Sequence, residues 1–267
     1  MNASGSAQYC KGQLEAMLSK KSVTPPMIIV DLRQESHGFL QISKPIQGES
    51  TIAVGWFAER DWMSIGKGLV SVAADEKSRL ASIMPDPKRP DPVVNEIKSV
   101  NKEGGICKMK PYPVHPVRWA TEQQIAKEVG CKYIRFPTTD HVRPRDEEVD
   151  GFVAVDLTET KRAPSLWWHF HCRGGDGRTT TFLAMHDIIR NAPQVTVDDI
   201  LLRQYLLGGV PLYGTPPKPT GYEYPFAVER EDFIRRFYDY VCAAKPRAFE
   251  MSWSAWVAEN AVKEAES

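Results

Sequence analysis

"HFHCRGGDGRTTTF", residues 169–182, sets a cysteine at the end of an aromatic run and directly before a segment containing three glycines. The run leading into it, "LWWHFH" at 166–171, has the apolar, aromatic content of a buried strand. The run leaving it, "TTTFLAMHDIIRNAP", reads as a helix that a proline ends. A glycine-rich turn between strand and helix points consecutive backbone N–H groups inward, and the helix adds unpaired N–H groups and the positive end of its dipole. Gly174, Gly175 and Gly177 therefore predict an anion-binding nest, with Cys172 at its mouth. In that field a thiolate is favoured, and activated cysteines titrate at about 3.5–7.5. A thiolate attacks phosphorus readily. Cys172 and Arg178 are separated by five residues, so in a tight loop Arg178 offers planar, bidentate donors to two phosphoryl oxygens. Thr179 can donate its hydroxyl to the sulfur and help it leave, and His171 is expected to tune the thiolate rather than act as a base. No Gly-Lys-Ser/Thr closes the segment, so it is not a nucleotide-binding Walker loop.

Outward from this stretch, "MIIVDL" at 27–32 and "KYIRF" at 132–136 read as further buried strands. "ATEQQIAKEVG" has Thr121 as N-cap, Gln124 as capping-box partner and Gly130 at C′. Helical spacing recurs in "EEVDGFVAVDL", "TVDDILLRQYLLGG" and "REDFIRRFYDYVCAA". Alternating strands and helices predict an α/β fold with a largely parallel sheet flanked by helices. The proline- and lysine-rich stretch 83–118 reads as an insertion with short strands, within a single domain spanning 1–267.

Composition limits the functional classes. Thirty-four basic residues balance thirty-four acidic ones, so no global field recruits nucleic acid or an anionic membrane. There is no apolar run long enough to span a bilayer, and no secretory signal is visible, which implies a cytoplasmic protein or an exported one whose leader is not part of this sequence. The five cysteines are odd in number and widely spaced, unlike a disulfide framework or a zinc site, and no metal or cofactor is expected. Cys10, Cys107, Cys131 and Cys242 read as small core residues. His115 and His186 read as solvated or core-satisfied, and His37 is open.

An alkoxide leaving group needs a proton. Asp140, in "FPTTDHVRP" just past the 132–136 strand, stands where α/β sites open and is the expected general acid. Its alternative is to cap the helix beginning near Asp146, with Asp146 and Glu147 as first-turn residues.

"HCRGGDGRTT" fits the protein-tyrosine-phosphatase signature, and "DLRQESHGF" at 31–39 with "YIRFPTTDHVRP" and "GWFAERDW" resembles the bacterial tyrosine-phosphatase-like phytases. The resemblance implies a phosphatase fold and a small polyanionic substrate, a myo-inositol polyphosphate, hydrolysed through a phosphocysteine on Cys172. It implies roles for Arg178 in phosphate binding, Asp140 as acid and His141 as a substrate contact. Arg33 would lie near the pocket, and Lys218 would meet a distal phosphate. The family commonly carries a partial β-barrel insertion, expected here in reduced form. Two positions depart from the family pattern: Arg173 is a cation that adds attraction for a polyphosphate, and Asp176 an anion that opposes it unless paired. A dual-specificity or tyrosine protein phosphatase would share all the catalytic residues. A binding-only phosphate module could discard Cys172 and Asp140, which this chain keeps.

Overall fold

The computed structural model describes residues 2–20, 26–56, 61–88, 90–101, 105–213 and 221–266. Its central layer is a four-stranded sheet in the order β1 (Ala3–Ser6), β9 (Trp167–His171), β2 (Met27–Arg33), β8 (Lys132–Thr138), every pairing parallel. All seven residues of β2 are buried, as expected of a strand covered on both faces. Its side chains alternate between two cores. Ile28, Val30 and Leu32 join Phe152, Trp168, Phe170, Phe182 and Phe237, while Met27 and Ile29 join Tyr9, Leu14, Phe39 and Ile125.

The first core is closed by α4 (Asp146–Arg162), α5 (Gly177–Asn191), α6 (Val197–Leu206), α7 (Tyr224–Ala244) and α8 (Trp253–Glu266). The second is closed by α1 (Lys11–Leu18) and α3 (Glu122–Glu128). The capping box read at Thr121 and Gln124 starts α3, and Gly130 follows it at φ 78°. This is the α/β fold the sequence predicts.

A second layer was not legible as strands. β3 (His37–Ile46) pairs antiparallel with β4 (Glu49–Gly55) and with β7 (Pro116–Ala120). This sheet buries Leu40, Ile42, Ile52 and Val54 against Leu80 of α2 (Leu69–Ser82). Within the 83–118 stretch, β5 (Val93–Val100) and β6 (Ile106–Pro113) form a two-stranded hairpin that leaves Met109 and Val93 exposed. All five cysteines are free thiols, and Cys172 alone is buried. Contrary to the core reading, Cys10, Cys131 and Cys242 are half-buried and Cys107 is exposed on the hairpin. Among the described residues no helix is long and apolar enough to cross a membrane.

Candidate active site

The ends of β2, β8 and β9 converge where parallel sheets open their sites. β9 delivers Cys172, and residues 173–176 turn back into α5. The N-cap of α5 is Asp176, whose side chain makes no capping hydrogen bond, so the first-turn N–H groups are left to face the cavity. Gly175 has φ 80°, and a Cβ there would lie 2.5 Å from the Ala7 nitrogen. Only glycine fits so close a backbone approach. A Cβ on Gly177 would lie 2.0 Å from Nη1 of Arg230, so a side chain there would displace the guanidinium that α7 lays against the loop.

Two donors address the Cys172 sulfur: the Gly175 N–H at 3.3 Å and the Thr179 hydroxyl at 3.2 Å. Arg178 is buried, its guanidinium gripped by Glu35 at 2.8 Å (Nη1 to Oε2) and 3.2 Å (Nη2 to Oε1). Arg178 Nε stands 3.1 Å from an Asp140 oxygen but makes no aligned hydrogen bond, which leaves that N–H for a ligand. Glu35 also takes Arg33 Nε at 2.7 Å. Burial works against the Glu35 charge, and Arg178 with Arg33 outweigh it, holding the carboxyl well below its usual range.

A cavity of about 560 Å³ opens over this loop. It is lined by Cys172, Arg173, Gly174, Asp176, Gly177 and Arg178 of the loop, by Asp140 and His141, and by Asp61, Tyr222, Glu223 and Arg230. Asp140 is not a helix cap, since the N-cap of α4 is Arg145. Its backbone carbonyl accepts from Trp62 Nε1 at 3.0 Å, and His141 Nε2 lies 3.3 Å from its carboxylate. His141 has φ 67°, and Tyr222 meets its Nε2 at 3.0 Å. Arg173 pairs with Asp61 at 3.1 Å. Burial, then the nearby Glu35, push the Asp61 carboxyl up to about 6 against the pull of Arg173.

Arg33 does not line this cavity. It lines the adjoining one, of about 480 Å³, where Glu35 and Gln8 hold its guanidinium. Lys218 lies outside the described residues. Sequence reasoning missed Glu35, Asp61 and Arg230. Glu35 follows a strand end two residues after Arg33, a place where an acid could have been suspected, but Arg230 sits in a charged helix with no local signal.

Beneath the loop lies a buried ionic cluster. His37 Nε2 is 3.2 Å from Asp31 and 3.1 Å from Glu122, and His171 Nε2 is 2.7 Å from the other Glu122 oxygen. Asp31, His37 and Glu122 stand close enough to hold a metal ion. Their oxygens, however, already receive Tyr133, Arg135 and Tyr9, and a protonated His37 has no free lone pair. The cluster is therefore an ion-pair network beside His171, which precedes the nucleophile in the chain. His186 is a buried core residue whose Nδ1 lies 2.5 Å from Asp156.

Burial disfavours the His37 charge, yet Asp31 beside it raises the imidazole from 6.5 to about 9. His37 therefore stabilises the fold fully below pH 6.5, and that contribution is lost as pH rises through about 9. We expect denaturant unfolding of the wild-type chain to lose up to about 3 kcal/mol across this window. A His37→Gln chain, whatever its absolute stability, should show a flat profile there; an unchanged slope would assign the loss to another group.

Residues 30–190 match the family model of protein-tyrosine-phosphatase-like phytases, described by inositol hexakisphosphate. The chain belongs to this family. It is similar to the PTP-like myo-inositol phosphatase of Mitsuokella multacida, solved in complex with myo-inositol-(1,3,4,5)-tetrakisphosphate. The two share 35% identity with a TM-score of 0.79 over 96% of this chain and 40% of that one. A PTP-like phytase from Bdellovibrio bacteriovorus is 28% identical, with a TM-score of 0.69 over 96% of this chain and 86% of that one. The effector protein hopD2 of Pseudomonas syringae pv. tomato is 25% identical over 238 residues, 89% of this chain and 47% of hopD2. The chain thus spans about half the length of that curated relative.

Proposed function

We propose that the chain hydrolyses phosphate monoesters of myo-inositol polyphosphates through a phosphocysteine on Cys172. The observation that carries this reading is the pair of donors on the Cys172 sulfur, set beside a guanidinium that Glu35 holds in one orientation. The Cys172 sulfur attacks phosphorus from within the nest, and the P–O bond to the inositol oxygen breaks. Asp140, at the cavity wall, gives its proton to that oxygen. Arg178 and the loop N–H groups bind the equatorial oxygens, where charge gathers in the transition state. Water then attacks the phosphocysteine, Asp140 takes the water proton, and the S–P bond breaks to release phosphate. The Thr179 hydroxyl donates to the departing sulfur. The tetrakisphosphate bound by the Mitsuokella relative supports an inositol phosphate as substrate. Arg230 faces the cavity with a buried Nε that has no hydrogen-bond partner among the described residues, and serves as a contact for a second phosphate.

Asp140→Asn tests the assignment of the acid. Inositol leaving groups are poor, so loss of positioned proton transfer should lower kcat on them by about 10²–10⁴-fold. p-Nitrophenyl phosphate, whose leaving group needs little help, should lose far less. Steady-state kinetics on both esters decide the matter, and equal losses would place Asp140 in a step common to both.

A further inference from the structure

We propose that the chain takes its inositol phosphate from a membrane, as the headgroup of a phosphoinositide. The catalytic cavity holds the phosphorylated ring, and the adjoining cavity holds the glycerol and the start of the acyl chains. This deepens the proposed function and rests on it. The two cavities, of about 560 and 480 Å³, share Asp61 and Arg173 and no other lining residue among those described. A ligand that fills both passes beside that pair.

The two linings differ in kind. Around the catalytic cavity stand the phosphate loop and the charged or polar Asp140, His141, Tyr222, Glu223 and Arg230. The adjoining one is walled by Trp56, Ile83, Val93, Ile97, Ile106 and Met109, with Gln8, Arg33 and Asn95 as further polar members. Most of its polar side chains are committed to partners already in place. Arg33 is held by Glu35 and Gln8, and Asp61 pairs with Arg173. What this cavity offers a ligand is therefore chiefly apolar surface. A phosphate or a peptide backbone turned that way would lose water with few partners in return, whereas an acyl chain gains by burial.

The hairpin supplies a second observation. In the β5–β6 pairing Ile97 stands opposite Met109 and Val100 opposite Ile106, and residues directly opposite project from one face. These two pairs border both cavities, since Val100 lines the catalytic one and Ile97, Ile106 and Met109 the other. Val93, Val100, Ile106 and Met109 nonetheless remain exposed, Met109 at 53%. Beside them the described residues of the hairpin, 93–101 and 105–113, carry Lys98, Lys108 and Lys110 against Glu96. Exposed apolar side chains interleaved with cations suit an anionic bilayer surface. The charge of the whole chain is balanced, so this attraction is local to the hairpin.

The test compares kcat/KM of the full chain on monomeric dioctanoyl phosphatidylinositol bisphosphate and on its deacylated counterpart, glycerophosphoinositol bisphosphate, with p-nitrophenyl phosphate as a probe of the chemistry alone. The lipid should be preferred at least about tenfold over the deacylated ester. Ile106→Asp combined with Met109→Asp should abolish that preference and leave the deacylated and aryl esters unchanged. If the double variant also loses the aryl activity, Met109→Ser, a single change at an exposed side chain, carries the test instead. In sedimentation, Cys172→Ser should bind phosphatidylcholine vesicles containing the phosphoinositide, and the hairpin changes should release it. Equal efficiency on the two inositol esters, or a preference that the hairpin changes leave unmoved, overturns the inference while the catalytic reading stands. A phosphotyrosine peptide with apolar flanks that the hairpin changes impair, where they spare the lipid, overturns it in favour of a peptide. Absence of turnover on every ester, the aryl one included, overturns the catalytic reading and this inference with it.

Discussion

Cys172→Ser is expected to lower turnover of inositol phosphates and of p-nitrophenyl phosphate alike, by about 10⁴-fold or more, the scale that loss of a nucleophile reaches in other hydrolases. A serine hydroxyl is far less ionised than a thiol near neutral pH, and no imidazole is hydrogen-bonded to the Cys172 sulfur to take its proton: the donors there are the Gly175 N–H and the Thr179 hydroxyl. The nest and Arg178 are untouched by the exchange, so calorimetry should show phosphate esters still bound. Rapid-quench labelling with a radioactive phosphate ester should trap covalently bound phosphate on wild-type protein but not on the variant. Activity within tenfold of wild type would end the phosphocysteine reading.

Arg178→Lys is the second large effect, expected at about 10²–10³-fold in kcat/KM on either ester. An ammonium cannot reproduce two parallel contacts to a phosphoryl group, nor the two-pronged grip by which Glu35 sets the orientation. The companion Glu35→Gln separates orientation from charge. It keeps Arg178 but leaves Arg33 and Arg178 buried without their carboxylate, so unfolding free energy should fall by about 3–5 kcal/mol along with activity. A stable, fully active Glu35→Gln chain would show that Arg178 is held by the Leu32 and Thr138 carbonyls instead.

The loop from Cys172 to Thr179 was legible because its chemistry is contiguous in the chain and its flanks carry the periods of a strand and a helix. Asp140 was legible as an acid at a strand end. The structure brings it to the cavity wall beside Arg178. Glu35 was quoted within "DLRQESHGF" yet unassigned, because its partner Arg178 lies 143 residues away and only the β2–β9 pairing brings them together. Arg33, which the family resemblance sets near the pocket, lines the adjoining cavity, with Glu35 and Gln8 on its guanidinium. β3 and β4 were missed since "HGFLQISKPI" mixes glycine, lysine and proline with its apolar residues, and burial along it ends at Ile42. β1 is "ASGS", four small residues with no strand preference of their own, made a strand by lying along β9.

That small strand has a consequence for anyone shortening the chain. A fragment starting at Met27 would keep every residue that the family model matches, since those run from 30 to 190. It would also strip β1 from β9 and leave the nucleophile-bearing strand as the outermost one, its N–H and C=O groups open to recruitment by other molecules. The loop would lose the backbone of Ser6 and Ala7 packed on Gly175, and the Gln8 N–H that donates to the Arg173 carbonyl at 3.1 Å. The most recognisable segment of the sequence thus depends for its rigidity on the least recognisable one, and an aggregated, inactive fragment would report on the missing strand rather than on the chemistry of Cys172.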